Sequence, residues 1–214
     1  MSNELILAIS GNDIFSGGGL HADLATYTTN KQHGFVAVTC LTAMTEHGFE
    51  VIPVDPTTFA QQLNSLKDVP FSAIKLGLLP NVEVADLALD YVKDHADIPV
   101  VLDPVLVCKE THDVEVSALR DELIKFFPSV TIITPNLPEA EILTQSKIQS
   151  LDEMKEAARK LHELGAANVV VKGGNRLNKE KAIDVFYDGQ DFTVFEEDVL
   201  EKNNTGAGCT FACI

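Results

Sequence analysis

Leu5-Ile6-Leu7-Ala8-Ile9, then a loop holding Gly11-Asn12-Asp13 and Gly17-Gly18-Gly19, then a helical pattern from Leu20 to about Thr29, is the stretch from which the fold follows. Five successive apolar residues without polar alternation describe a strand buried on both faces. A glycine loop that turns from such a strand directly into a helix opens a parallel-sheet unit. The same rhythm continues outward. Phe35-Val36-Ala37-Val38-Thr39 predicts a second strand, and Asp55-Pro56 caps and starts a helix to about Leu66. Ala73-Ile74-Lys75-Leu76 predicts a strand, Asn81 caps a helix to about Val92, and Pro99-Val100-Val101-Leu102 predicts a strand ending at Asp103-Pro104. Ser117 starts a helix to about Phe126, and Val130-Thr131-Ile132-Ile133 returns to the sheet. Ser150 with Glu153 forms a capping box for a helix ending at Gly165, before the apolar strand Asn168-Val169-Val170-Val171-Lys172. Residues 181–187 and 192–196, joined by Asp188-Gly189-Gln190, predict a hairpin on the sheet edge.

Doubly buried strands separated by helices imply an α/β protein, a three-layer α/β/α sandwich with a mainly parallel central sheet. Ligands of such sheets collect beyond the carboxyl ends of the strands. The loops at Gly11–Gly19, Asp103–Asp113, Thr134–Glu139 and Gly173-Gly174 each lie just past a strand and are expected to line one crevice.

Bulk composition narrows the function classes. The 214 residues fit one large domain, and 45% hydrophobic with 22% charged content is ordinary for a globular chain. The formal charge of −16 is not ordinary; such a surface repels nucleic acid and anionic membranes. An anionic substrate therefore needs a locally positive pocket. Cys40, Cys108, Cys209 and Cys213 lack metal-type spacing, and the start Met1-Ser2-Asn3-Glu4 lacks a signal peptide's basic region and apolar run. The expectation is a cytoplasmic protein with reduced thiols.

The chemistry concentrates at Asn204-Thr205-Gly206-Ala207-Gly208-Cys209-Thr210, a glycine-rich turn opening a helix. Gly206 and Gly208 let backbone N–H groups crowd one point, and the helix start adds positive potential. Cys209 is the first side chain within that ring, where a thiol is expected to fall below its usual ~8.5. A proton acceptor beside an anion cradle fits an enzyme that moves phosphate. Asp13, before the triple glycine, could accept a hydrogen bond from a substrate hydroxyl or ring nitrogen, or could bond its own turn. Asp103 and Glu139 could hold a hydrated Mg²⁺, although Asn136-Leu137-Pro138-Glu139 also reads as a plain N-cap. Lys172-Gly173-Gly174 ends an apolar strand with a cation and then lets backbone approach closely. Cys108 carries little weight by itself.

Taken together, Gly11-Asn12-Asp13, Gly17-Gly18-Gly19, Ala22-Asp23-Leu24, Asp103-Pro104-Val105, Thr134-Pro135-Asn136 with Glu139, Val171-Lys172-Gly173-Gly174 and Gly206-Ala207-Gly208-Cys209-Thr210-Phe211 resemble the ribokinase superfamily. More narrowly they resemble its vitamin-kinase branch, the hydroxymethylpyrimidine (phosphate) kinases and bacterial pyridoxal kinases. The resemblance runs through essentially the whole chain in order. It implies ATP as phosphoryl donor, with phosphates against Lys172, Gly173 and the amides of Thr205 to Cys209, and Mg²⁺ held through water near Asp103 and Glu139. Asn136 would contact phosphate or metal-bound water, and Cys209 thiolate would take the hydroxymethyl proton. Asp13, Gly18, Gly19 and Met44 would border the substrate.

Cys108, in a lid over 108–114, resembles the second cysteine of dual-cysteine pyridoxal kinases, whose lid thiol adds to the pyridoxal aldehyde. Thr42-Ala43-Met44-Thr45 points the same way, because pyrimidine kinases usually carry Gln after Thr-Ala. The expected activity is therefore ATP-dependent phosphorylation of pyridoxal. The alternatives are a hydroxymethylpyrimidine or phosphomethylpyrimidine kinase and, more remotely, a non-catalytic vitamer-binding protein. A homodimer is implied, with Phe49–Val54 as a candidate edge strand. Ile14 and Phe15 depart from the family's small polar residues, and Lys109-Glu110-Thr111-His112-Asp113 lacks the usual lid glycines. Family members continue past the anion-hole motif, so residues 1–214 are expected to form a single kinase domain that is incomplete at its C-terminus.

Overall fold

The computed structural model describes residues 4–106, 113–200 and 205–213. One nine-stranded sheet runs through it, formed by β1 (Leu5–Asn12), β2 (His33–Thr45), β3 (Gly48–Pro53), β4 (Ala73–Leu76), β5 (Val100–Leu102), β6 (Ile132–Ile133), β7 (Val169–Lys172), β8 (Lys181–Tyr187) and β9 (Phe192–Asp198). The order is β3-β2-β1-β4-β5-β6-β7-β8-β9. The six strands from β2 to β7 pair in parallel, while β3 at one edge and β8 and β9 at the other pair antiparallel.

Seven helices accompany these strands among the described residues: α1 (Gly19–Thr29), α2 (Pro56–Leu66), α3 (Val82–Asp94), α4 (Asp113–Ile124), α5 (Leu137–Thr144), α6 (Leu151–Glu163) and α7 (Ala207–Phe211). The expected caps form: Asp55, Asn81 and Ser150 side chains accept from the amides of Thr58, Val84 and Glu153. The alternation of β1 shows how the layers divide. Leu7 and Ile9 enter the large core shared with α2, α3, α5 and α6, whereas Ile6 and Ala8 pack with Leu20 and Tyr27 of α1 on the opposite face. Helix α7 rests on α1. The sheet is thus packed by α2, α3, α5 and α6 on one face and, at β1 and β2, by α1 on the other. No described helix is long and apolar enough to cross a membrane.

Two elements differ from the sequence reading. β2 extends to Thr45, well past Thr39, because it acquires an antiparallel partner in β3 with Thr42 opposite Val51. The segment Phe49–Val54 is therefore largely the edge strand of this hairpin. Helix α4 begins at Asp113, four residues before Ser117, so Ser117 is interior to it and not its cap.

Candidate active site

The carboxyl ends of β1, β4, β5, β6 and β7 meet in one crevice. Their loops are knitted together by main-chain bonds, Asp103 N to Leu76 O, Thr134 N to Leu102 O and Lys172 N to Pro135 O, at 2.8–3.0 Å. A cavity of about 170 Å³ opens there, lined by Ser10, Gly11, Asp13, Gly19, Thr42, Phe49, Val51, Gly77, Leu78, Val105 and Cys209. Residues from the first strand and from near the last described position thus share one wall.

That wall is built from two glycine turns pressed together. Gly206 adopts φ +86°, and a side chain there would collide with the Gly17 carbonyl; one at Gly19, with φ +54°, would collide with that of Gly11. Only glycine permits both the left-handed backbone and this approach. A methyl group on Gly18 would lie 3.7 Å from Cys209 Sγ and 3.8 Å from Asp13 Oδ2, which places the sulfur against the Gly17–Gly19 turn. Asp13 spends its carboxylate on that turn: Oδ1 accepts from Phe15 N, and Oδ2 accepts from Gly17 N and Gly18 N at 3.1 and 2.9 Å. The turn-forming reading of Asp13 is the one seen, while the residue still borders the cavity.

Cys209 departs from expectation in its acidity. Burial pushes the thiol above its ordinary value, and the attraction of the Lys75 ammonium and an N–H bond from Gly19 offset this only in part. The sequence reading counted amides and overlooked desolvation. Helix α7 has just five residues, and the packing around the half-buried thiol disfavours its charged form. Ala207 and Gly208 form the first turn, and a methyl group on Gly208 would sit 3.4 Å from Lys172 Nζ. Cys209 and Cys213 are both outside any disulfide.

Charged groups at the ends of β5, β6 and β7 adjoin the cradle. Lys172 Nζ donates to Asp103 Oδ1 at 3.0 Å, and Thr134 Oγ1 lies 3.5 Å from the same oxygen. Asn136 and Glu139 complete a reciprocal capping box at the start of α5, with Asn136 Oδ1 accepting from Glu139 N and Glu139 Oε2 accepting from Asn136 N. Glu139 is only 4% exposed, and burial followed by repulsion from Asp103 raises its carboxyl to about 7. Two acidic side chains that repel each other beside a cation-lined anion cradle suit a hydrated divalent ion, which takes few carboxylates and fills its shell with water and phosphate oxygens. An all-protein cage is absent: among the described residues no three His, Cys, Asp or Glu side chains could hold a metal.

Other anticipated contacts sit differently. Gly173 gives its N–H to Ile183 O and Asp184 Oδ1, and Gly18 gives its own to Asp13. Met44 is 61% exposed and not among the residues lining the cavity; Thr42, two residues back on the same face of β2, lines it and accepts from Ile14 N. Thr205 is exposed and faces Gly17. Cys108, the lid from Lys109 to His112 and Asn204 lie outside the described residues.

Sequence reasoning missed a buried ion pair under the crevice. Lys75 Nζ bonds both oxygens of Asp23, at 2.9 and 3.1 Å. The signal was present: a lysine in the middle of an apolar buried strand must find a partner charge.

Two glycine turns pressed together, the half-buried thiol of Cys209 and the acidic pair Asp103 and Glu139 gather at the strand ends of the sheet. The chain belongs to the phosphomethylpyrimidine kinase family, whose profile matches residues 13–214, and it is a vitamin kinase. It is 40% identical to the pyridoxine kinase of Bacillus subtilis over 99% of this chain and 81% of that one. It is 35% identical to the hydroxymethylpyrimidine/phosphomethylpyrimidine kinase of Aquifex aeolicus over 97% and 83% of the two chains. The Staphylococcus aureus pyridoxal kinase in complex with AMP-PCP and pyridoxal superposes with a TM-score of 0.90 at 33% identity, covering 100% of this chain and 78% of that one.

Proposed function

We propose that the chain transfers the γ-phosphoryl group of ATP to the 5′-hydroxymethyl oxygen of pyridoxal and related B6 vitamers. The observation that carries this reading is the placement of Cys209 Sγ on the cavity wall, against the Gly17–Gly19 turn and one helical step from the Gly206–Gly208 cradle. The thiolate accepts the hydroxymethyl proton while that oxygen bonds to phosphorus and the bond to the departing diphosphate breaks. Charge spreads over the equatorial phosphoryl oxygens, and main-chain N–H groups fixed by Gly206 to Cys209 stabilise it; one such donor is worth about 2.7–4 kcal/mol of barrier. Lys172, beside Gly208, holds phosphate with them. Asp103 and Glu139 are the residues that would hold Mg²⁺, which neutralises the charge of the donor phosphates when bound. Because only the deprotonated thiol accepts a proton, turnover should rise with pH up to and beyond the ordinary thiol range.

Replacing Cys209 by Ala tests the reading. The expected loss is about 10²–10⁴-fold in kcat, the usual contribution of a positioned base, with little change in thermal stability. Near-normal turnover would exclude Cys209 as the base. The choice of acceptor rests on the sequence around Met44 and Cys108. Cys108→Ala should lower pyridoxal phosphorylation far more than that of hydroxymethylpyrimidine, which has no aldehyde to capture. Equal loss on both alcohols would remove the lid-thiol argument for pyridoxal.

We read residues 1–214 as one domain, since a single sheet runs through it. We also infer a homodimer built on the β2–β3 hairpin, where Leu41, Met44 and Ile52 remain exposed, 45–61%. A single-chain mass by light scattering would remove that inference.

A further inference from the structure

Beneath the floor of the cavity lies a charged pair for which the reaction as described has no use. Lys75 is 2% exposed and Asp23 is fully buried. Lys75 points from β4 toward α1, on the face where its neighbours Ile6 and Ala8 are apolar. It also reaches upward: a methyl group on Gly77, which lines the cavity, would lie 2.9 Å from Lys75 Nζ. Helix α7 is tied to the same pair. Cys213, four residues after Cys209, donates its S–H to Asp23 Oδ1 at 3.2 Å, and the Tyr27 hydroxyl lies 3.6 Å from that sulfur.

A structural role by itself would be served as well by apolar side chains, since a buried ion pair gains no more stability than hydrophobic residues of equal volume. What apolar residues cannot supply is a fixed field. Burial pushes the Lys75 ammonium toward neutrality, but the Asp23 carboxylate together with Cys209, Cys213 and Asp103 more than offsets this and holds its acidity below that of an ordinary lysine. The charges felt at Cys209 come from Lys75 on β4, Asp103 after β5 and Asp23 on α1. Asp13 borders the same wall, and Lys172 Nζ would lie 3.4 Å from a methyl group on Gly208. Among the first three, Lys75 is the only cation, and its attraction is the largest influence opposing burial of the thiol.

We propose that Lys75, clamped by Asp23 beneath the cavity floor, is a positioning residue for Cys209, its fixed positive charge stabilising the thiolate that has to form there. Its importance for turnover rests on the reading of Cys209 as the base; its effect on the thiol does not.

The test is iodoacetamide alkylation of Cys209 as a function of pH, followed by peptide mass spectrometry on the full chain without nucleotide or metal. In Lys75→Met the midpoint of the curve should move up by about one pH unit, a tenfold change in thiolate fraction below the midpoint. Lys75→Met alone strands a buried carboxylate, so the charge-neutral pair Asp23→Asn with Lys75→Met provides a second, folded reference. There the midpoint should also rise, by less, because one repulsive charge leaves with the cation. An unchanged or lowered midpoint in the folded double variant, with native circular dichroism, overturns the proposal. A raised midpoint alongside an active Cys209→Ala enzyme would instead remove the base reading and leave the Lys75–Cys209 coupling standing.

Discussion

Two lysine–aspartate pairs flank the crevice, and they differ in what surrounds them. Lys172 and Asp103 meet at 3.0 Å with side chains 15% and 5% exposed; Lys75 and Asp23 meet at 2.9 Å with side chains 2% and 0% exposed. The first pair stands at the strand ends, its cation against the turn of Gly208 and 5.9 Å from the Phe211 ring. In the proposed reaction that cation exchanges its carboxylate for an incoming phosphate. The second is sealed between β4 and α1 and can exchange nothing. It acts on the site only through its field, and for the same reason its removal falls hardest on the fold.

The largest predicted effect breaks the sealed pair. Lys75→Met should cost about 3–5 kcal/mol of folding stability, because it leaves the Asp23 carboxyl in the interior without its counter-charge. Urea unfolding of the two proteins side by side measures this. A cost below 1 kcal/mol would mean that the pair is not sealed. The corresponding change at the open pair, Lys172→Met, should leave stability within about 1 kcal/mol and lower kcat/KM for ATP by roughly 10–100-fold, the loss of one charge-assisted contact to phosphate. Equal destabilisation of the two variants would erase the distinction between them.

The smallest effect sharpens the account of the open side. Glu139 holds its proton up to about pH 7 in the folded protein, against an ordinary value of 4.5. The folded state therefore binds more protons than the unfolded chain between these values, and stability falls as pH rises through that window. Glu139→Gln keeps the cap and cannot ionise. In metal-free buffer its melting temperature should match wild type near the low end of the window and exceed it by a few degrees above the window. A constant offset at every pH would place the effect in packing and not in charge.

Much of this was legible in the chain. The apolar runs at residues 5–9, 73–76 and 169–172 specified doubly buried strands, and Asp55, Asn81, Asn136 and Ser150 specified helix starts, because both signals lie between near neighbours in sequence. The β2–β3 hairpin was only half visible, since the length of β2 depends on a partner strand and not on its own composition. Asp13 was open to two readings; it bonds the amides of Phe15, Gly17 and Gly18 in its own turn and also borders the cavity.

The sequence by itself determined the order of strands and helices, the glycines that allow two backbones to touch, and the residue types gathered at the strand ends. Tertiary structure alone decided which charges face one another: Lys75 and Asp23 are 52 residues apart, Lys172 and Asp103 69, and Cys213 and Asp23 190. It also decided the protonation of Cys209, because desolvation depends on what packs around a sulfur and not on the residues that precede it in the chain.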